Sequence, residues 1–167
     1  MYNKGDCVVY SNKGICRVDD IVMMNMQDGN KEYYLLIPIN EKSAKIYAPV
    51  NSSSQRMRMA MDERQARQLI NNIGETDEIH IENDKEREKV YREATISNDP
   101  YRLLAVIKTI FRRKIEREKN GRKCTVVDEK YLRFAQTQLY GELAYALQSE
   151  IEQMEQIVLQ RILEDFA

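Results

Sequence analysis

The chain has no tryptophan, one histidine, three cysteines and three prolines in 167 residues. His80 alone leaves a histidine-based metal or acid–base site almost without material, and it stands in a polar, solvated segment. Cys7, Cys16 and Cys124 are odd in number and lack Cys-x-x-Cys spacing, so buried or half-buried thiols are expected rather than a disulfide or a metal knuckle. No apolar run approaches a membrane span, and the N-terminus lacks the apolar core of a signal peptide. A cytoplasmic protein without a membrane partner is expected. There is no Ser/His/Asp or Cys/His set, no glycine-rich phosphate cradle and no metal-ligand spacing. The adjacent Asp19 and Asp20 fit a solvated strand end better than a pair of catalytic acids. These absences point to a protein with no catalytic residue, no metal and no cofactor.

What is present is charge, unevenly distributed. Hydrophobic residues make up 43% and charged residues 32% of the chain, and the net charge is only −1. That mean hides balances of +2 over residues 1–61, −5 over 62–100, +7 over 101–140 and −5 over 141–167. The field near a surface follows local charge, so a basic segment between acidic ones can still attract a polyanion.

The first sixty residues read as short strands. Val8, Val9 and Tyr10 supply one, Ser11–Gly14 a turn, and Ile15–Ile21 a second. Asp28-Gly29 lies between Ile21–Met26 and Lys31–Leu36, a strong hairpin signal. Asn40–Ser43 makes another turn and Ala44–Ala48 another strand, which Pro49 ends or holds at an edge. Asn51–Ser54 reads as a loop, and Gln55–Met59 closes the set. Five short strands in this length predict a Tudor-like or SH3-like barrel.

From about residue 61 the period becomes helical. Asp62 caps a helix with Ala66, Leu69, Ile70 and Ile73 on one face, stopped at Gly74. The acidic stretch 75–83 reads as a connection, and Asp84–Ile96 as a helix with Val90 and Ala94 inward. Asn98-Asp99-Pro100 announces a third helix, with Leu103, Leu104, Ile107, Ile110, Phe111 and Ile115 as its core stripe. Asn120-Gly121 ends it. Thr125-Val-Val-Asp128 resembles a capping box, opening a helix with Leu132, Ala135, Leu139, Leu143 and Leu147 inward. Gly141 inside that helix suggests close packing against a neighbour. Ser149–Phe166 predicts a fifth helix that covers the bundle or, alternatively, a dimer seam; a monomer or weak dimer is expected. The class is α+β: a β-barrel over residues 1–60 and an all-α bundle over 61–167.

Two surfaces stand out. Three methionines crowd the strand Ile21–Met26; Met24 and Met26 share one face, and Met23 points to the other. Some must fill a small core, and the rest suit an adaptable protein-binding edge. The second surface is the basic run Arg112, Arg113, Lys114, Arg117, Lys119, Arg122 and Lys123, with Lys108 a turn earlier and Lys130 and Arg133 beyond. Either it is a solvated face partly neutralised by Glu116 and Glu118, or it holds phosphates without reading sequence.

Gly5-Asp-Cys-Val-Val-Tyr10, the turn ending in Gly14, and Val18 and Ile21 resemble the opening of the CarD/CdnL family of bacterial transcription regulators. They also resemble the RNA-polymerase-interacting module of transcription-repair coupling factors. Lys31-Glu-Tyr-Tyr-Leu-Leu36, Ile46-Tyr-Ala-Pro49 and Met57-Arg-Met59 continue the likeness. In the second half, Phe111-Arg-Arg113, Asp128-Glu-Lys-Tyr-Leu132 and Gly141-Glu-Leu-Ala144 fit the regulators' helical domain. The resemblance implies a regulator whose first domain docks on the RNA polymerase β-subunit and whose second touches upstream promoter DNA. It assigns Met23, Met24, Met26 and Tyr47 to the polymerase surface, with Met24 and Tyr47 standing where relatives carry arginine. It matches Lys89 to a DNA-contacting lysine, with Arg87 and Arg92 nearby. The family's tryptophan wedge falls at Asp84 or its neighbours, with Tyr91 and Tyr101 the nearest aromatics, both expected in the core. The other function class is a protein-interaction adaptor that uses the barrel and the C-terminal helices without DNA.

Overall fold

Short β-branched and aromatic runs separated by glycine turns fold as five antiparallel strands in the order β4-β3-β2-β1-β5. These are β1 (Cys7–Tyr10), β2 (Gly14–Met26), β3 (Gly29–Pro38), β4 (Ile46–Pro49) and β5 (Met57–Met59). The computed structural model describes the backbone of residues 1–167 and every side chain except those of residues 53–55. Its two units are Met1–Ala60 and Met61–Ala167. Gly14 and Gly29, at φ 76° and 109°, start strands from conformations that a Cβ would strain. The expected α+β class, a small β-module followed by helices, is what the chain adopts.

Details differ from the sequence reading. The two runs on either side of Ile21 are one strand of 13 residues. β4 starts at Ile46 rather than Ala44, and Pro49 ends it at the sheet edge, where a missing N–H costs no ladder bond. The loop expected over 51–54 is a 3-10 helix, Val50–Gln55. Gln55 therefore precedes β5, and its side chain lies outside those described. Val8, Cys16, Val18, Tyr34, Leu36, Ala48 and Met57 form the core. Tyr2 closes one end: its N–H donates to Tyr34 Oη at 3.1 Å and its hydroxyl donates to the Met57 carbonyl at 2.9 Å.

A register shift between Val18 and Asp20 inserts Asp19 into β2. Before it, Cys16 and Val18 face the core. Strict alternation would then send Asp20 inward. The extra residue instead puts Ile21 opposite the buried Tyr34, and Asp20 faces away.

The second unit has five helices: α1 (Glu63–Asn71), α2 (Arg87–Ile96), α3 (Pro100–Lys119), α4 (Val126–Leu147) and α5 (Ile151–Phe166). Their starts follow the capping chemistry. Asp62 accepts from the Gln65 N–H at 2.8 Å while Gln65 accepts from the Asp62 N–H at 3.0 Å; such a cap contributes about 1 kcal/mol. Asp99 caps Tyr101 ahead of Pro100, and Thr125 caps Asp128. A 3-10 turn, Asp84–Glu86, precedes α2, so this α-helix begins three residues later than expected. Leu69, Ile73, Leu104, Ile107, Ile110, Leu139, Leu143 and Ile162 are central to one continuous core. α5 joins it through Met154, Val158 and Ile162, as a covering helix does.

Four expectations fail here. Val90 is only half-buried, while Tyr91 and Ala94, both expected inward, are fully buried in α2. Tyr101 is exposed, because it occupies the first turn of α3 ahead of the core stripe. A Cβ at Gly141 would meet nothing within 4 Å, so close packing does not explain that glycine. The box at Thr125 is one-sided, because the Asp128 side chain turns into the core. Among the described residues, no helix is long and apolar enough to cross a membrane.

Candidate functional site

The sheet has a free edge where the methionines lie. β1 pairs with β2 only from Gly14 to Arg17, while β3 pairs with it as far as Met26. Among the described residues, no strand pairs with the other side of 20–26. Pairing sets the faces. Asp20, Val22, Met24 and Met26 lie opposite Leu35, Tyr33, Lys31 and Gly29, and Tyr47 on β4 lies opposite Leu35. Met24, Met26 and Tyr47 therefore share a face, away from the core, with Val22, Tyr33 and Leu35. Met23 points to the core side but lies beyond the end of the core, and it is 64% exposed. The sequence reading missed Val22, Tyr33 and Leu35; counting alternate residues from the Asp28-Gly29 turn would have found them.

The basic residues divide into two groups. Lys108 is 2% exposed, and its Nζ donates to the carbonyls of Ile73 at 2.7 Å and Thr76 at 2.6 Å and pairs with Asp165 at 3.0 Å. It is an internal staple, so its expected DNA contact is corrected. It lies on the Leu104–Phe111 flank of the α3 stripe, which was the available signal. Arg112 donates to both oxygens of Glu78, at 2.9 and 2.8 Å, and its guanidinium stacks 3.9 Å from the centroid of Phe166. Arg87 and Arg113 converge on Asp128, which is 0% exposed. Lys89, Arg92, Lys130 and Arg133 remain on the surface, and Lys114 is half-buried.

Asp128 organises the inner group. Its oxygens accept from Tyr91 Oη at 3.0 Å and Arg113 Nε at 3.1 Å, and Arg87 Nε approaches to 3.2 Å. Burial, followed by the charge of Asp128, raises the Tyr91 pKa far above the ordinary tyrosine range, so its hydroxyl remains a donor. Burial alone would lower the Arg113 pKa, but the hydrogen bond and charge of Asp128 raise it. Asp84, at the expected wedge position, is an exposed carboxylate 3.4 Å from Arg87 and 3.7 Å from Arg113.

A second carboxylate organises the outer group. Glu88 Oε1 lies 3.8 Å from Arg92 Nη2, 3.9 Å from Lys130 Nζ and 3.4 Å from the Tyr131 hydroxyl. α2 and α4 thus bring Arg92 and Lys130 together, with Arg133 next along α4. Sequence spacing alone could not reveal this pairing of helices. Burial pushes the Cys16 thiol up to about 11, the opposite of an activated nucleophile. Among the described residues, no three His, Cys, Asp or Glu side chains cluster to hold a metal.

Residues 2–61 match the model of the CarD-like/TRCF RID domain, a span that takes in the whole sheet. No curated protein matches the chain. The matched domain is of the RNA-polymerase-interacting kind, which gives the protein a transcription-related role. The first unit alone is thereby assigned: residues 2–61 are a CarD-like/TRCF RID domain.

Proposed function

We propose that this protein is a non-enzymatic, cytoplasmic transcription regulator that docks on the RNA polymerase β-subunit and contacts upstream promoter DNA. The observation that carries the reading is the open edge of β2 beside an apolar face, inside the matched domain. A free strand edge offers main-chain hydrogen bonds to an incoming strand, and alternate side chains give the contact its specificity. Met24, Met26 and Tyr47 supply that face, and Met23 flanks it. Methionine adapts its shape to a partner, so an apolar contact here replaces the arginines that the family resemblance implies.

The helical unit, residues 61–167, would hold DNA through phosphates. Lys89, Arg92, Lys130 and Arg133 carry this role, with Lys114 at the margin; Arg87, Arg112 and Arg113 support the helices that present them. Nothing in this set reads base edges, so binding is indifferent to sequence. Preferential binding to open promoter complexes would shift their population, and about 1.4 kcal/mol of preference changes the ratio tenfold.

The first half is tested by binding to the isolated β-subunit lobes. Met23→Pro, which removes an N–H from the open edge of β2 and spares the ladder to β3, should abolish micromolar binding and leave the helical unit folded. Equal binding by wild type and M23P would overturn the docking edge. A second reading, an adaptor without DNA contact, is favoured by one observation: six of the nine basic residues proposed for DNA are ion-paired within the helical unit, four of them with partners other than Glu88. Duplex DNA binding that weakens with salt decides for the first reading; its absence decides for the adaptor.

A further inference from the structure

The point at Glu88 Oε1 is built like a seat for a phosphate oxygen. Three donors from two helices converge on that single atom: Arg92 Nη2, Lys130 Nζ and the Tyr131 hydroxyl. Tyr131 is only 7% exposed, so its hydroxyl is held by packing rather than by solvent. Its ring also lies beneath Lys130 Nζ, 5.3 Å from the centroid, which orients the ammonium. The carboxylate that fills the seat is 43% exposed on its side chain, and its two cations stand beyond hydrogen-bond distance. The contrast with Asp128 is direct. There Tyr91 Oη and Arg113 Nε donate at 3.0 and 3.1 Å, and the carboxylate is sealed. An exposed, loosely held anion among three donors can be displaced by a stronger one.

We infer that Glu88 occupies a DNA-phosphate seat formed by Arg92, Lys130 and Tyr131, and that its carboxylate restrains DNA binding until it is displaced. This rests on the reading of the helical unit as a DNA contact and adds the place and the restraint. A phosphodiester oxygen carries the charge that Arg92 and Lys130 attract, and it accepts the Tyr131 hydrogen bond as Glu88 does. To enter, it must move Glu88 aside. The wild-type protein therefore binds DNA more weakly than its cations alone would.

The test uses the full chain and a 30-bp duplex of arbitrary sequence, titrated over a range of salt concentrations. Glu88→Gln keeps the side-chain shape and removes the charge. It should bind several-fold tighter, and the plot of log K against log salt should steepen by about 0.9, the value of one added phosphate contact. Lys130→Ala should then cost several-fold more affinity in the E88Q background than in wild type, because in wild type Glu88 already occupies the lysine. Tyr131→Phe should weaken E88Q binding without flattening the salt slope, since it removes a neutral donor. If wild type binds DNA but E88Q has the same affinity and slope, or K130A costs the same in both backgrounds, the inference is overturned and the DNA reading stands. If neither protein binds the duplex, the DNA reading falls and takes the inference with it.

Discussion

Two clusters in the helical unit use nearly the same parts to opposite ends. Around Asp128, two arginines and a tyrosine close on a buried carboxylate and lock α2, α3 and α4 together. Around Glu88, an arginine, a lysine and a tyrosine close on a half-exposed carboxylate at the surface. The difference lies in burial and distance rather than in composition. A sealed ion cluster cannot lose one partner without stranding the others in a medium that solvates charge poorly. An open cluster can exchange its anion, because water screens what is left exposed. Charge counted along the sequence is therefore a poor guide to charge offered to a ligand.

The comparison is broken most severely by Asp128→Ala. It should leave Arg87, Arg113 and Tyr91 facing a cavity and cost about 3–4 kcal/mol, read as a lower urea midpoint. A loss under 1 kcal/mol would put Asp128 on the same footing as Glu88. Lys108→Met comes next. It keeps the stem and removes the donor to two carbonyls and Asp165, for a loss of about 2 kcal/mol. Its duplex affinity and salt slope should match wild type, since a buried ammonium contacts no phosphate.

Arg133→Ala sharpens the other side. Stability should change by less than about 0.5 kcal/mol, while the salt slope for duplex binding falls by about 1. Gly141→Ala provides the baseline at a position in neither cluster. A Cβ meets nothing there, and alanine favours the helix, so a gain of about 0.5–1 kcal/mol is expected in thermal or urea unfolding.

Local chemistry made much of the fold legible. Asp62, Asp99-Pro100 and Thr125 mark helix starts because a cap is a contact among near neighbours. Asp28-Gly29 marks its hairpin for the same reason. Long-range partners were not legible. Lys108 is charged and reads as exposed, yet it bonds carbonyls 35 and 32 residues away. Tyr91 displaces Val90 from the core because Asp128, on another helix, satisfies its hydroxyl. Six of the nine DNA candidates were chosen by charge and three, Lys89 with Arg87 and Arg92, by the family resemblance, and neither signal distinguishes an internal staple from a surface patch. Met24 and Met26 were correctly put on one face because a strand alternates wherever it is regular. The face shared with Tyr47 follows from the pairing of β2, β3 and β4.

Asp19 gives that last point a further meaning. One supernumerary residue in β2 makes its two halves obey opposite parity: even-numbered residues face inward before it and odd-numbered ones after it. The inner half can thus keep Cys16 and Val18 in the core while the outer half turns Val22, Met24 and Met26 outward. Pairing the same residues without the bulge would send Val22, Met24 and Met26 inward and present Met23 and Asn25 instead, whereas excising Asp19 along with its bulge would keep the outward set as it is. The outward surface of this module is written in the count of its residues as much as in their identity.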